Sequence, residues 1–226
     1  MSRGLFITAT GTDVGKTYVS ALIIKALRKS GINCGYYKAA VSGAGSIAES
    51  DAGYVNAFAK IGQREETLLS YLYKTPVSPH LAAQIEGNPL SLAKVKADYL
   101  RVCKEYDYVV TEGSGGIICP LRWDDEEKVL LEEVINLLGL PTVVVAAAGL
   151  GTINATVLTV KYLKAQGIPV KGIILNYFTG DEMQVDNLKM IEELTGISVI
   201  ATVKPGDMHL DICPVKLAEV FQEEEI

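Results

Sequence analysis

Gly15-Lys16-Thr17 stand together directly behind Thr10-Gly11-Thr12-Asp13-Val14. In a tight turn of this kind the backbone N–H groups, with those of a following helix N-terminus, converge on phosphate oxygens. Gly15 lets the main chain come close, Lys16 adds a point charge, and the Thr17 hydroxyl suits Mg2+. The spacing departs from GxxxxGK[ST]: Thr10 stands where the first Gly belongs, and Gly11 comes one place later. An ordinary Gly-rich turn between strand and helix is the competing reading, but the Gly-Lys-Thr ending favours a nucleotide.

Two carboxylates are candidates to complete a metal site. Glu112 follows the apolar run Tyr108-Val109-Val110-Thr111 and precedes Gly113-Ser114-Gly115-Gly116, which predicts an exposed position at the rim of a sheet. Asp51 follows Ser50 and reads equally well as a helix-start residue serving the helix dipole. Mg2+ is usually held by a hydroxyl or one or two carboxylates together with phosphate oxygens. Lys38 is read as ending a strand, where a cation facing the phosphate loop would stabilise a transferring phosphoryl group. A strand-end lysine is more often simply solvated. The Ala39–Ser46 stretch beside it, with Ser42 as a donor, raises the functional reading.

Strands are predicted at Leu5–Ile7, Cys34–Lys38, Tyr106–Thr111, Pro141–Ala147, Val170–Leu175 and Ile197–Val203. Helices are predicted at Lys16–Lys29, Asp51–Lys60, Pro79–Glu86, Ser91–Lys104, Lys128–Leu138, Ile153–Gln166, Glu182–Leu194 and Pro214–Gln222, with Ala39–Ser50 as a loop. Their alternation predicts an α/β fold, one parallel sheet with helices on both faces. Ligands of such sheets bind beyond the carboxyl ends of the strands. That is where Gly11–Thr17, Lys38–Ser42, Glu112–Gly116, Gly149–Asn154 and Asn176 fall.

The 226 residues fit one domain with a sizeable core. A net charge of -6 argues against a general nucleic-acid or anionic-membrane binder. Mean hydropathy is +0.23, yet no apolar run reaches the roughly 18 residues of a membrane span. The N-terminus has no signal-peptide layout, so a cytoplasmic protein is expected. Cys34, Cys103, Cys119 and Cys213 form no CxxC pair and read as free buried thiols. With only His80 and His209, and no GxSxG, a Ser–His–Asp hydrolase is disfavoured. His80 reads as packing after Pro79; Trp123 reads equally as a site residue or a surface anchor. The acidic end Glu223-Glu224-Glu225 reads as a solvated tail.

Taken together these residues resemble the dethiobiotin synthetase family over nearly the whole chain. Phe6–Thr17 is similar to that family's variant phosphate loop, Tyr37-Lys38 with Ser42-Gly43 to its lysine strand and substrate loop, and Ser50-Asp51-Ala52 to its metal-binding Ser-Asp. Ser78-Pro79-His80, Glu112-Gly113-Ser114-Gly115-Gly116 and Leu150-Gly151-Thr152-Ile153-Asn154 resemble further family segments, with Ala39-Ala40 standing where the family usually has Pro. The resemblance implies a P-loop NTPase-like fold with a deviant Walker A sequence. It implies ATP- and Mg2+-dependent closure of 7,8-diaminononanoate with CO2 or bicarbonate to dethiobiotin, through a carbamate and a carbamic–phosphoric anhydride. Lys16 and Lys38 would be catalytic, and Thr17, Asp51 and Glu112 would hold the metal. Asp13 to Tyr18, Gly113 to Gly115, Asn176, Pro205, Gly206 and Asp207 would bind ATP. Thr12, Ser42, Gly151 and Asn154 would bind the diamine substrate, the last two across a homodimer interface.

A partition- or division-type switch ATPase is the rival. Such proteins carry an extra lysine near the start of the loop, where Gly11 stands, and use basic surfaces that this acidic chain lacks. An amidotransferase synthetase would need a glutaminase domain, for which 226 residues leave no room.

Overall fold

A computed structural model describes residues 2–221. Its centre is a seven-stranded sheet in which every pairing is parallel. The strands are β1 (Arg3–Ala9), β2 (Cys34–Ser42), β3 (Leu69–Tyr73), β4 (Tyr108–Glu112), β7 (Thr142–Ala147), β8 (Val170–Asn176) and β9 (Val199–Val203), in the order β3-β2-β4-β1-β7-β8-β9. The strands between them in number, β5 (Pro120–Trp123) and β6 (Lys128–Leu130), form a separate antiparallel hairpin.

Alternation along the strands feeds two cores. Leu5, Ile7 and Ala9 of β1 face one core together with α1 (Lys16–Lys29) and α8 (Pro214–Glu219); Phe6 faces the other. That second core takes in α4 (Leu92–Cys103), α5 (Leu131–Leu138), α6 (Thr152–Ala165) and α7 (Glu182–Thr195). Two further helices, α2 (Asp51–Phe58) and α3 (Pro79–Glu86), lie close to the carboxyl ends of the strands. Helices therefore cover both faces, as near-continuous apolar strands require. Among the described residues no helix is long and apolar enough to cross a membrane.

Four expectations change. The segment after Lys38 is not a loop at once: β2 continues to Ser42, because Ala40, Val41 and Ser42 pair with Tyr71, Leu72 and Tyr73 of β3. That strand was not anticipated, although Leu69–Tyr73 alternates buried and half-buried residues. The helix expected from Lys128 begins at Leu131, where the Glu133 carboxylate accepts the Leu130 N–H at 2.6 Å; Lys128–Leu130 form β6 instead. The thiols are not all buried: Cys34 and Cys119 are, Cys103 is half-buried and Cys213 is exposed. Residue 222, the expected end of the last helix, and Glu223–Glu225 lie outside the described residues.

Candidate functional site

The turn after β1 is held in a shape few sequences allow. Asp13 has φ 59° and Gly15 has φ 92°. A Cβ on Gly15 would meet the Asn176 amide nitrogen at 2.0 Å, so both the left-handed backbone and the close approach demand glycine. That amide donates to the Val14 carbonyl at 2.9 Å, bracing the turn from the end of β8. Tyr177 adds a longer contact from its hydroxyl to the Asp13 carbonyl, 3.4 Å. Lys16 opens α1 and is buried, its ammonium donating to the Gly11 carbonyl at 3.2 Å. Burial, and then the charge of Lys38, lower its pKa from the usual lysine value.

Lys38 is neither a strand end nor solvated. It sits in mid-strand in β2, 3% exposed, and its register partner is Glu112 of β4. Glu112, expected at an exposed rim, is 1% exposed. The reason in both cases is mutual neutralisation. Lys38 Nζ donates to Glu112 Oε1 at 2.7 Å and to Asp51 Oδ2 at 2.6 Å. Burial works against the ammonium, but the two carboxylates outweigh it and hold its pKa above the ordinary value. Asp51 is desolvated too, yet Lys38, Lys16 and the Thr17 hydroxyl hold its carboxyl below the usual range. Asp51 is also the first residue of α2, with Ser50 capping Gly53, so the two readings of Asp51 describe one residue.

Thr17 donates its hydroxyl proton to Glu112 Oε1 at 2.8 Å, which leaves its oxygen lone pairs available to a cation. Glu112 Oε2 accepts from the Tyr36 hydroxyl at 2.9 Å. Thus α1, β4 and α2 send Thr17, Glu112 and Asp51 to a single point, and β2 sends Lys38 and, from behind, Tyr36. Thr17, Lys38, Asp51 and Glu112 form one wall of a cavity of about 810 Å3, lined also by Thr12, Asp13, Gly15, Tyr18, Ser42, Ser114 and Gly115.

Other expected residues take different places. Ser114 lines the cavity and donates to the Ala40 carbonyl at 2.8 Å, tying the 113–116 loop to β2. Gly113 does not line it; the glycine packs under Phe6 and Leu131, either of which a Cβ would meet at 2.9 Å. Pro205 and Gly206 are exposed, and the Asp207 carbonyl accepts the Tyr18 hydroxyl, which joins this loop to the cavity edge. Gly151 and Asn154 are not brought into the cavity. They line a separate groove of about 550 Å3 along α6 with Leu150, Val157 and Leu158. His80 does not line the cavity, and its buried Nδ1 has no hydrogen-bond partner among the described residues. Trp123 lies on the hairpin under the Lys128 ammonium, away from the cavity.

Sequence reasoning missed Tyr36, Tyr54, Ile118, Cys119 and Tyr177 as neighbours of the site. For Tyr36 a signal existed: it is two residues before Lys38 and therefore shares that face of the strand. Cys119 lines the cavity, but burial pushes its thiol up to about 11, so the group is a thiol rather than a thiolate at neutral pH.

A family model described as an AAA domain matches residues 3–208. The chain is 50% identical over 212 residues to the ATP-dependent dethiobiotin synthetase of Brachyspira hyodysenteriae, covering 93% of this chain and 96% of that protein. It is 45% identical over 228 residues to the enzyme of the same name from Clostridium botulinum strain Langeland, 99% of this chain and 100% of that protein. The septum site-determining protein MinD of Pyrococcus horikoshii, solved with Mg-ADP, superposes with a TM-score of 0.58 at 17% identity, covering 98% of this chain and 93% of that one. A ParA-family ATPase from Chlorobium tepidum gives 0.56 at 16%, with 92% and 86% covered. The structural likenesses establish a P-loop NTPase fold and nothing narrower. The near-full-length identity decides within that fold: the chain belongs to the ATP-dependent dethiobiotin synthetase family.

Proposed function

We propose that this chain is one synthetase domain that uses ATP to close 7,8-diaminononanoate and CO2 into dethiobiotin. The observation that carries the reading is the meeting of Lys38, Asp51, Glu112 and Thr17 beside the phosphate loop. Two carboxylates and a hydroxyl are hard oxygen donors, and Mg2+ takes such a set together with phosphate oxygens. Among the described residues no cluster of three or more His, Cys, Asp or Glu forms a dedicated cage, which suits a metal that shares its ligands with the nucleotide. Thr17, Asp51 and Glu112 are the residues to hold it. When bound, Mg2+ neutralises charge on the transferring phosphoryl group.

One amine of the substrate adds CO2 and loses a proton, giving a carbamate. A carbamate oxygen attacks the γ-phosphorus and ADP leaves, forming the mixed anhydride. The second amine then attacks the carbamoyl carbon, phosphate departs, and the five-membered ureido ring closes. Lys38 and Lys16 place two positive charges where carbamate and triphosphate, both anions, must meet. Thr12, Ser42 and the Ser114–Gly115 turn hold the diamine end against the phosphate loop. Asp13, Val14, Gly15 and Tyr18 shape the phosphate cradle, while Gly113, packed under Phe6 and Leu131, supports the loop from behind. Asn176 with Pro205, Gly206 and Asp207 serves the base end. Catalysis is then positioning and electrostatics, with no covalent enzyme intermediate.

Gly151 and Asn154 face a different groove of the same chain, so their service to the substrate's distal carboxylate requires a second copy. The protein works as a homodimer in the cytoplasm, without nucleic acid or membrane. The test is ADP release from ATP, Mg2+ and bicarbonate with and without the diamine. Diamine-dependent release is expected. Release that ignores the diamine but responds to DNA or lipid would place the chain with the switch ATPases.

A further inference from the structure

Tyr36 has no place in the chemistry just described, yet it spends its hydroxyl on the central carboxylate. It lies in β2 opposite Val110 in the strand register, two residues before Lys38, which is opposite Glu112. Side chains two apart share a face. Tyr36 therefore reaches diagonally to Glu112 Oε2, at 2.9 Å, while Lys38 and Thr17 take Oε1. The ring is 0% exposed. A phenylalanine would fill the same apolar volume, and a buried hydroxyl is costly unless it is bonded. Among the described residues it is the one side-chain donor to Oε2.

The main chain of Tyr36 is fixed with unusual care. Its N–H donates to Gln63 Oε1 at 2.9 Å, and its carbonyl accepts from Gln63 Nε2 at 2.8 Å. Gln63 is in turn clamped by Asn56, whose side chain accepts from the Gln63 N–H at 3.0 Å and donates to its carbonyl at 2.9 Å. Asn56 belongs to α2, the helix that begins with Asp51. One chain of hydrogen bonds thus runs from the helix bearing Asp51, through Gln63 and Tyr36, to Glu112.

We propose that Tyr36 is a positioning residue for the metal site: its hydroxyl holds Glu112 Oε2 and so turns Oε1 toward Thr17 and the phosphate loop. Partners that orient a metal-ligating carboxylate carry much of the affinity although they never touch the ion. The inference rests on the metal site proposed above, and its test separates the two. Mn2+ is titrated into the protein with ADP, free Mn2+ is followed by electron paramagnetic resonance, and the same titration of ADP alone is subtracted. The titration is run well below the melting temperature of both proteins, where each is fully folded, so the midpoint reports the site and not the fold. Tyr36→Phe should shift the Mn2+ midpoint about ten-fold or more to weaker binding. ADP affinity in excess chelator should stay within about two-fold, since Tyr36 touches no phosphate-loop group. An unchanged midpoint would overturn the inference, whether or not the melting temperature falls. Wild-type protein that binds no Mn2+ with ADP would instead remove the metal site itself.

Discussion

Around Lys38, the groups proposed to do chemistry satisfy one another within a single chain; along α6, Gly151 and Asn154 line a separate, largely apolar groove. The ammonium, two carboxylates, a threonine and a tyrosine form one set with bonds of 2.6–2.9 Å, its centre at Tyr36, Lys38 and Glu112 buried. The α6 groove has Leu150 at 93% exposure beside Ile153, Val157 and Leu158, with Gly151 at the helix start in a left-handed conformation. Charge that must act on a phosphoryl group is preorganised before substrate arrives, since reorganisation during the reaction would cost rate. A contact to a distant carboxylate can be left to a partner surface, where apolar area supplies the association.

The largest effect should come from breaking the first region. Lys38→Met keeps the aliphatic stem and deletes the ammonium. It should lower kcat by about 10²- to 10³-fold, as removal of a preorganised transition-state donor does. Glu112 is then left buried with its principal cation gone, so the melting temperature should fall as well. Mg2+ with ADP should raise that temperature more for Lys38→Met than for wild type, because the metal restores a cation at the vacated carboxylates. Equal stabilisation of both proteins would show that Lys38 and the metal do not share those partners. Lys16→Ala comes next. It removes one charged contact to phosphate, worth about 1.5–3 kcal/mol, and should weaken ATP binding by roughly 10- to 100-fold in calorimetry.

The second region is tested by mixing. Asn154→Ala and Lys38→Met each spoil a different half of the proposed shared site. If two copies complete it, an equal mixture forms half hybrids with one intact site in two, restoring about a quarter of wild-type activity. No recovery after subunit exchange would confine the whole site to one chain.

The contrast also marks what the sequence could and could not disclose. The phosphate turn was legible because glycine, lysine and threonine must occupy fixed offsets between a strand and a helix, and α1 begins at Lys16 as expected. The carboxylates were legible as types, but their burial was not. Whether Lys38 is solvated depends on Glu112, 74 residues away, standing opposite it in the register of two strands. Register is a property of pairs, invisible in either strand alone. Strand β3 and the β5–β6 hairpin were missed for a related reason: strands of five, four and three residues carry too little periodicity to separate them from loop or helix start.

The smallest effect falls where the two ends of the nucleotide site meet. Asn176 is assigned to the base end of the proposed nucleotide site, yet its amide donor is already committed to the Val14 carbonyl beneath Gly15. Asn176→Ala removes that brace, a single hydrogen bond worth about 1 kcal/mol, or roughly five-fold in affinity. The brace acts on the phosphate loop, which every nucleoside triphosphate uses. Calorimetry should therefore show ATP and CTP weakened by similar factors, with any further loss confined to ATP measuring what the amide oxygen contributes to the base. CTP binding left untouched would mean that the loop holds its shape without Asn176, and that the residue's whole contribution lies in choosing adenine.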